Sequence, residues 1–92
     1  MAAPRIEMYT TSWCPYCTRA RHLLERKGAS FEEISIEEHP ERRAEMIQRS
    51  GRRTVPQIFI DGQPIGGSDE LAALEEAGAL DQLLLRAPVA VQ

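Results

Sequence analysis

Cys14-Pro15-Tyr16-Cys17 holds both cysteines of the 92-residue chain, and the reading of these four residues decides how the rest is arranged. Two thiols separated by two residues can close a small disulfide from the first turn of a helix, so the pair stores and releases two electrons. A helix N-terminus presents unpaired N–H groups and the positive end of the macrodipole, both of which favour a thiolate. Cys14 is therefore expected to be the reactive sulfur. Pro15 supports the placement, because the first helical turn needs no N–H from it. Tyr16 is expected to face solvent beside the sulfur.

Two other uses of a cysteine pair stay open at this point. Half of a zinc site is one, but zinc takes four ligands, and His22 and His39 stand alone without a partner at ligand spacing. No metal site is expected. A structural crosslink is the other, and so short a loop removes little chain entropy from the unfolded state.

Ninety-two residues make one small domain spanning 1–92, with a single core and no room for a separate cofactor-binding unit. The amino end lacks a basic segment followed by a long apolar run, so neither a signal peptide nor a membrane anchor is expected, and the cytoplasm is the expected location. In that reducing compartment a Cys-x-x-Cys pair is catalytic more readily than structural. A net charge of −3 argues against general nucleic-acid binding. Arg42, Arg43, Arg49, Arg52 and Arg53 cluster mid-chain, a run that a solvated helix face also explains.

Around the cysteines the pattern alternates between strand and helix. Arg5 to Thr10 shows a period of two in Ile6 and Met8, which predicts a strand with Arg5 and Glu7 on its other face. Thr11-Ser12-Trp13 forms the loop that delivers Cys14, and Trp13 is placed either against a substrate or against the domain. From Pro15 to Lys27, Cys17, Ala20, Leu23 and Leu24 recur at helical spacing, and Gly28 ends the helix. Cys17 then lies on the inner, shielded side. Phe31 to Ile36 predicts a second strand parallel to the first. His39-Pro40 opens a second helix with Ala44 and Ile47 on one face and Met46 beside it, closed by Gly51.

Val55-Pro56 leads into Gln57-Ile58-Phe59-Ile60, and Asp61-Gly62 signals a two-residue hairpin before Gln63-Pro64-Ile65-Gly66. Pro56 and Pro64 belong at strand starts or edges, since neither donates to a ladder. Gly66-Gly67 allows close backbone approach to another molecule. Ser68 is the expected N-cap of a third helix with Asp69 and Glu70 in its first turn and Leu71 and Leu74 inward. Leu80, Leu83 and Leu84 predict a last helical turn or two, followed by a flexible tail at 86–92. Strand, helix, strand, helix, hairpin, helix gives an α/β fold: a four-stranded mixed sheet flanked by helices.

At this point the chain resembles the glutaredoxins, from about Arg5 to Leu85. The resemblance rests on Cys14-Pro15-Tyr16-Cys17, on Thr54-Val55-Pro56 with the Gln-Ile-Phe-Ile-Asp-Gly that follows, and on Gly66-Gly67-Ser68-Asp69-Glu70-Leu71. It implies a thioredoxin-like fold and a glutathione-dependent thiol-disulfide oxidoreductase. On that resemblance Cys14 is the nucleophile, Cys17 the resolving thiol and Pro56 a cis proline. Tyr16, Thr54 and Val55 would line the glutathione site, and Gly67, Ser68 and Asp69 would hold the γ-glutamyl end. Arg43 corresponds by position to the cation for the glycyl carboxylate, with Arg53 as a second candidate. Many glutaredoxins carry lysine three residues before the nucleophile, where this chain has Thr11.

The resemblance further implies glutathione as reducing co-substrate with no tightly bound cofactor. The partners it implies are glutathionylated or disulfide-containing proteins, ribonucleotide reductase among the candidates, acted on by a monomer. Two alternatives come with it: a reductase fed by thioredoxin reductase or mycothiol, since Thr11-Ser12-Trp13 resembles mycoredoxins, and a module bridging an iron-sulfur cluster. Relatives with Cys-Gly-Phe-Ser more typically hold such a cluster, and Pro15 disfavours one.

Overall fold

The structure, a computed structural model, describes residues 4–85. The tail expected at 86–92 lies outside the described residues, as do residues 1–3 of the amino end. Four strands, β1 (Ile6–Thr10), β2 (Glu32–Ser35), β3 (Gln57–Ile60) and β4 (Gln63–Gly66), form one sheet in the order β2-β1-β3-β4. β1 runs parallel to β2 and antiparallel to β3, and β3 and β4 make an antiparallel hairpin. Asp61 and Gly62 at its turn have φ of 51° and 81°, the left-handed pair that a two-residue turn requires. Pro64 sits on the edge strand β4, where its missing N–H breaks no interior ladder.

Helices cover both sides of this sheet. α1 (Pro15–Arg26), α3 (Ser68–Glu76) and α4 (Ala79–Leu85) pack Ala20, Leu23, Leu24, Leu71 and Leu80 onto Ile6, Met8, Ile58 and Ile60. α2 (Glu41–Ser50) packs Met46 onto the other side, against Tyr9, Ile34, Ile36 and Phe59. Double coverage corrects the expectation for β1: all five of its residues are buried, Glu7 and Tyr9 included. Period two described which side each residue faces, and both sides are interior.

Glu7 is tolerated there because α2 carries its partner. Arg49 donates from Nη2 to Glu7 Oε1 at 2.9 Å and from Nη1 to the Tyr9 hydroxyl at 2.8 Å. Its guanidinium lies 4.0 Å from the Phe59 ring centroid. The Tyr9 hydroxyl donates in turn to Glu45, which Arg42 grips with two hydrogen bonds of 2.9 Å. The inward face of α2 is thus Arg42, Glu45, Met46 and Arg49, with Ile47, expected inside, packed partly buried against the same cluster. Ala44, expected inside, is exposed. Apolar periodicity missed this face because most of it is charged.

Gly51 closes α2 with φ 75°, its N–H bonded to the Ile47 carbonyl. The N-cap of α3 is Gly67 rather than Ser68, which is the first helical residue. Glu70 substitutes for a capping side chain by accepting the Gly67 N–H at 2.7 Å.

Candidate active site

α1 presents its first turn to the surface because Pro15 can start a helix and Cys14 can cap it. Cys14 is extended, with φ −88° and ψ 117°, and its carbonyl accepts the Thr18 N–H at 3.1 Å. Its Sγ accepts the Cys17 N–H at 3.4 Å. The sulfur therefore stands where a capping oxygen usually does, at the positive end of the helix. The preceding loop is tethered by Glu37, whose carboxylate accepts the Ser12 N–H at 3.1 Å. The Ser12 hydroxyl and N–H, with the Trp13 indole, hold that carboxyl below its ordinary value.

Cys17, one turn into α1, has 0% exposure, whereas Cys14 is half-buried. Both are free thiols. Burial pushes the Cys17 thiol up from 9.0 to about 12, with the neighbouring Cys14 sulfur adding to the rise and a backbone hydrogen bond from Thr11 opposing it. One sulfur is accessible, and the other is stored as a thiol.

The loop between α2 and β3 meets the first sulfur. The Val55–Pro56 bond is cis, and the Cys14 thiol donates to the Val55 carbonyl at 3.8 Å. Gln57 fixes that loop from below: fully buried, it donates from Nε2 to the Thr54 carbonyl at 2.9 Å and to the Thr54 hydroxyl at 3.3 Å. On the third side stands the Gly66-Gly67 entry to α3. A Cβ at Gly66 would come within 2.8 Å of Glu70 Cγ, and one at Gly67 within 3.2 Å of the Pro56 carbonyl. The room the two glycines leave is filled by the chain's own Glu70 and cis-proline loop.

These pieces enclose a groove of ≈ 300 Å³ lined by Tyr16, Thr54, Val55, Pro56, Gly67, Ser68 and Asp69, together with Arg52 and Glu70. Seven residues singled out in the sequence are brought together there. Arg43 is not among them: it is exposed, and its Nη2 donates to the Arg53 carbonyl at 3.2 Å. The cation in the groove is Arg52, 3.3 Å from Glu70 Oε1. The sequence names Arg53 as the second candidate and leaves Arg52 in the basic run, whereas Arg52 and not Arg53 lines the groove; its position two residues before Thr54 was the available signal. Gln57 left no such signal. Trp13 is 80% exposed and Tyr16 54% exposed, so Trp13 does not pack into the domain. Among the described residues no three His, Cys, Asp or Glu side chains converge as metal ligands, and no helix is long and apolar enough to cross a membrane.

A Cys-x-x-Cys pair at the start of α1, the Val55 carbonyl before Pro56 meeting its first sulfur and a four-stranded mixed sheet define a thioredoxin-like thiol-disulfide oxidoreductase. Within that class the glutaredoxin family model matches residues 6–65. Glutaredoxin 3 of Escherichia coli K12 is 58% identical over 79 residues, covering 86% of this chain and 95% of that protein. The solution structure of glutaredoxin from Brucella melitensis is 54% identical with a TM-score of 0.80, covering 91% of each chain. A crystal structure of a buckwheat glutaredoxin–glutathione complex superposes with a TM-score of 0.81 at 30% identity, over 88% of this chain and 76% of that one. The chain belongs to the glutaredoxin family.

Proposed function

We propose that this chain reduces glutathione mixed disulfides and protein disulfides, with glutathione as its reducing co-substrate. The observation that carries this reading is the accessible Cys14 sulfur opening beside a groove with peptide-binding chemistry on two walls. In the proposed reaction the Cys14 thiolate attacks the glutathione sulfur of a mixed disulfide, and the protein thiolate leaves and takes a proton. A second glutathione then releases Cys14 (monothiol route). Alternatively, Cys17 gives up its proton and attacks Cys14, the Cys14–glutathione bond breaks, and the glutathione thiolate leaves and takes a proton; the resulting Cys14–Cys17 disulfide is reduced by two glutathiones (dithiol route).

Glutathione is a short peptide, and the groove offers what a peptide needs. Val55 presents backbone groups as an added strand would. Ser68, the first residue of α3, presents its N–H to the γ-glutamyl carboxylate, Gly67 leaves the backbone beside it free of a side chain, and Asp69 presents a carboxylate to the ammonium. Tyr16 and Thr54 form the sides, and Pro56 the floor. For the glycyl carboxylate Arg52 is better placed than Arg43, since Arg52 lines the groove. The protein works as a monomer in the cytoplasm, and its partners are glutathionylated or disulfide-bearing proteins, ribonucleotide reductase being one candidate.

A coupled assay with hydroxyethyl disulfide, glutathione, glutathione reductase and NADPH tests the reading. Turnover that requires glutathione is expected. Cys14→Ser should abolish it, and Cys17→Ser should retain deglutathionylation of small substrates. Turnover supported only by thioredoxin reductase or mycothiol, or full activity of Cys14→Ser, would overturn it.

A further inference from the structure

A second groove of ≈ 220 Å³ runs between α1 and α3, lined by Arg19, His22, Leu23, Arg26, Ser68 and Ala72 among others. Ser68 also lines the groove beside Cys14, so the two depressions meet at the first residue of α3. Along α1, Tyr16, Arg19, His22 and Arg26 follow at helical spacings on one flank, and Glu25 falls outside that series. The guanidinium of Arg19 lies 5.9 Å from the Tyr16 ring centroid, which ties the cationic flank to the aromatic beside the redox pair.

This flank stands out against the charge arrangement of the rest of the chain. Among the described residues Arg5, Arg21, Lys27, Arg42, Arg49 and Arg52 each have a carboxylate within ion-pair distance. Arg19 and Arg26 have none, and of the other described arginines only Arg43 and Arg53 share that condition. In a protein of net charge −3, two unpaired arginines on one flank form a local positive field that runs along α1 from the end that carries the attacking sulfur.

We infer that this flank docks an extended acidic segment of the disulfide-bearing protein substrate, an inference that rests on Cys14 being the attacking thiol. A partner chain that reaches Cys14 along α1 passes Tyr16, and Arg19, 5.9 Å from the Tyr16 ring centroid, is the next cation on that route. Arg19 and Arg26 are seven residues apart on α1, about 10 Å at helical rise. An extended chain covers that distance in about three residues, so the segment carries two carboxylates about three positions apart on one side of its reactive cysteine. The docked disulfide then reacts in balance. Cys14 thiolate forms a bond to one partner sulfur as the partner's S–S bond breaks, and the displaced thiolate takes a proton. Cys17 loses its proton, bonds to Cys14 and displaces the second partner thiolate, which takes a proton, so the partner gains the two electrons that the Cys14 and Cys17 thiols lose in becoming a disulfide.

Single-turnover reduction of disulfide peptides by stoichiometric pre-reduced protein tests this without glutathione, so failure here is separable from failure of the glutathione reading. Two peptides of the same length are compared, one with two glutamates about three positions apart and one with glutamines in their place. Wild type should reduce the acidic peptide about 5-fold faster at low salt, the worth of two exposed ion pairs, and the advantage should fade at high salt. Arg19→Gln combined with Arg26→Gln should remove that advantage while leaving the glutamine peptide and hydroxyethyl disulfide unchanged. Charge reversal, Arg19→Glu with Arg26→Glu, should turn preference toward a lysine peptide. Equal rates for the two peptides with wild type would overturn the proposal, as would a uniform loss on every substrate in the glutamine variant. Competition by a short oligonucleotide but not by the free acidic peptide would also overturn it.

Discussion

The two sides of the sheet are held by different physics. Toward α1, α3 and α4 the interior is Ile6, Met8, Leu23, Leu24, Ile58, Ile60, Leu71 and Leu80, and contact there is a matter of volume. Toward α2 it is Tyr9, Phe59 and Met46 threaded by Glu7, Arg49 and Glu45, where each contact also has a direction. The active site straddles the two. Its cysteines belong to the helix on the apolar side, whereas Thr54, Val55 and Pro56 belong to the loop that leaves α2. Apolar burial suits a sulfur that must be kept protonated, and directional bonds suit a loop that must present a carbonyl to the other sulfur.

The largest expected effect is chemical and tests what the apolar side does to Cys17. With its thiol pushed up to about 12 from an ordinary 9.0, Cys17 should carry about 10³-fold less thiolate near neutrality than an unburied cysteine. Iodoacetamide at neutral pH, followed by mass spectrometry, should label Cys14 alone in the reduced protein. In Cys14→Ser the remaining Cys17 should stay unlabelled until the protein is unfolded. Rapid labelling of Cys17 in the folded variant would show that the apolar side does not store the proton.

Next in size is Leu24→Ala, which leaves a hole beneath α1 where the side chain is fully buried. A loss of about 3 kcal/mol is expected in urea unfolding. Arg49→Ala strikes the opposite side: Glu7 keeps only the Arg5 contact at 3.5 Å, and the Tyr9 hydroxyl loses its donor. About 2 kcal/mol should be lost, mostly the cost of stranding Glu7 in the interior. Arg49→Met with Glu7→Gln should recover much of it, because the pair is then replaced rather than broken. If Arg49→Ala stays within about 0.5 kcal/mol of wild type, Ile34, Ile36 and Met46 hold the α2 side unaided, and the contrast between the two sides fails.

The contrast also explains which parts of the structure were readable from sequence. Leu23, Leu24, Ile58 and Ile60 announce the apolar side through periodicity, and Asp61-Gly62 announces the hairpin through its turn chemistry. Cys14 and Cys17 separate into outer and inner sulfurs by their places on α1 alone. The polar side was not readable in that way. Arg42, Glu45 and Arg49 look like solvated surface until β1 supplies Glu7 and Tyr9 more than thirty residues away in sequence, and Ala44 was placed inward on apolar character alone. The same blindness applied to the site: Arg52 and Arg43 are equivalent in a charge count, and only the fold turns one into the groove. Ser68 was read as a cap because serine commonly is one, while the actual cap combines Gly67 with the carboxylate of Glu70.

The smallest effect is the most selective between the two sides. Glu45 is held below its ordinary 4.5, first by Arg42 and then by the Tyr9 hydroxyl. A carboxyl depressed in the folded state contributes stability that is fully present above its unfolded value and is lost as pH falls through the folded one. Wild type should therefore lose part of its stability on acidification below about pH 4.5 through the α2 side. Tyr9→Phe removes one of the three groups depressing Glu45, leaving Arg42 and Arg49, so its acid limb should be shallower than wild type's. The difference is about 0.5 kcal/mol, kept small because Glu45 is partly exposed and retains Arg42. Leu24→Ala should lower the whole curve with its acid limb parallel to wild type's, since no titrating group is touched. Glu33, likewise depressed by Arg21 on the α1 side, titrates in all three proteins and cancels in the comparison. Urea midpoints measured from neutrality to acid decide it: parallel limbs for Tyr9→Phe and wild type would mean that the hydroxyl does not couple the sheet to α2, and that the arginines Arg42 and Arg49 govern Glu45 without it.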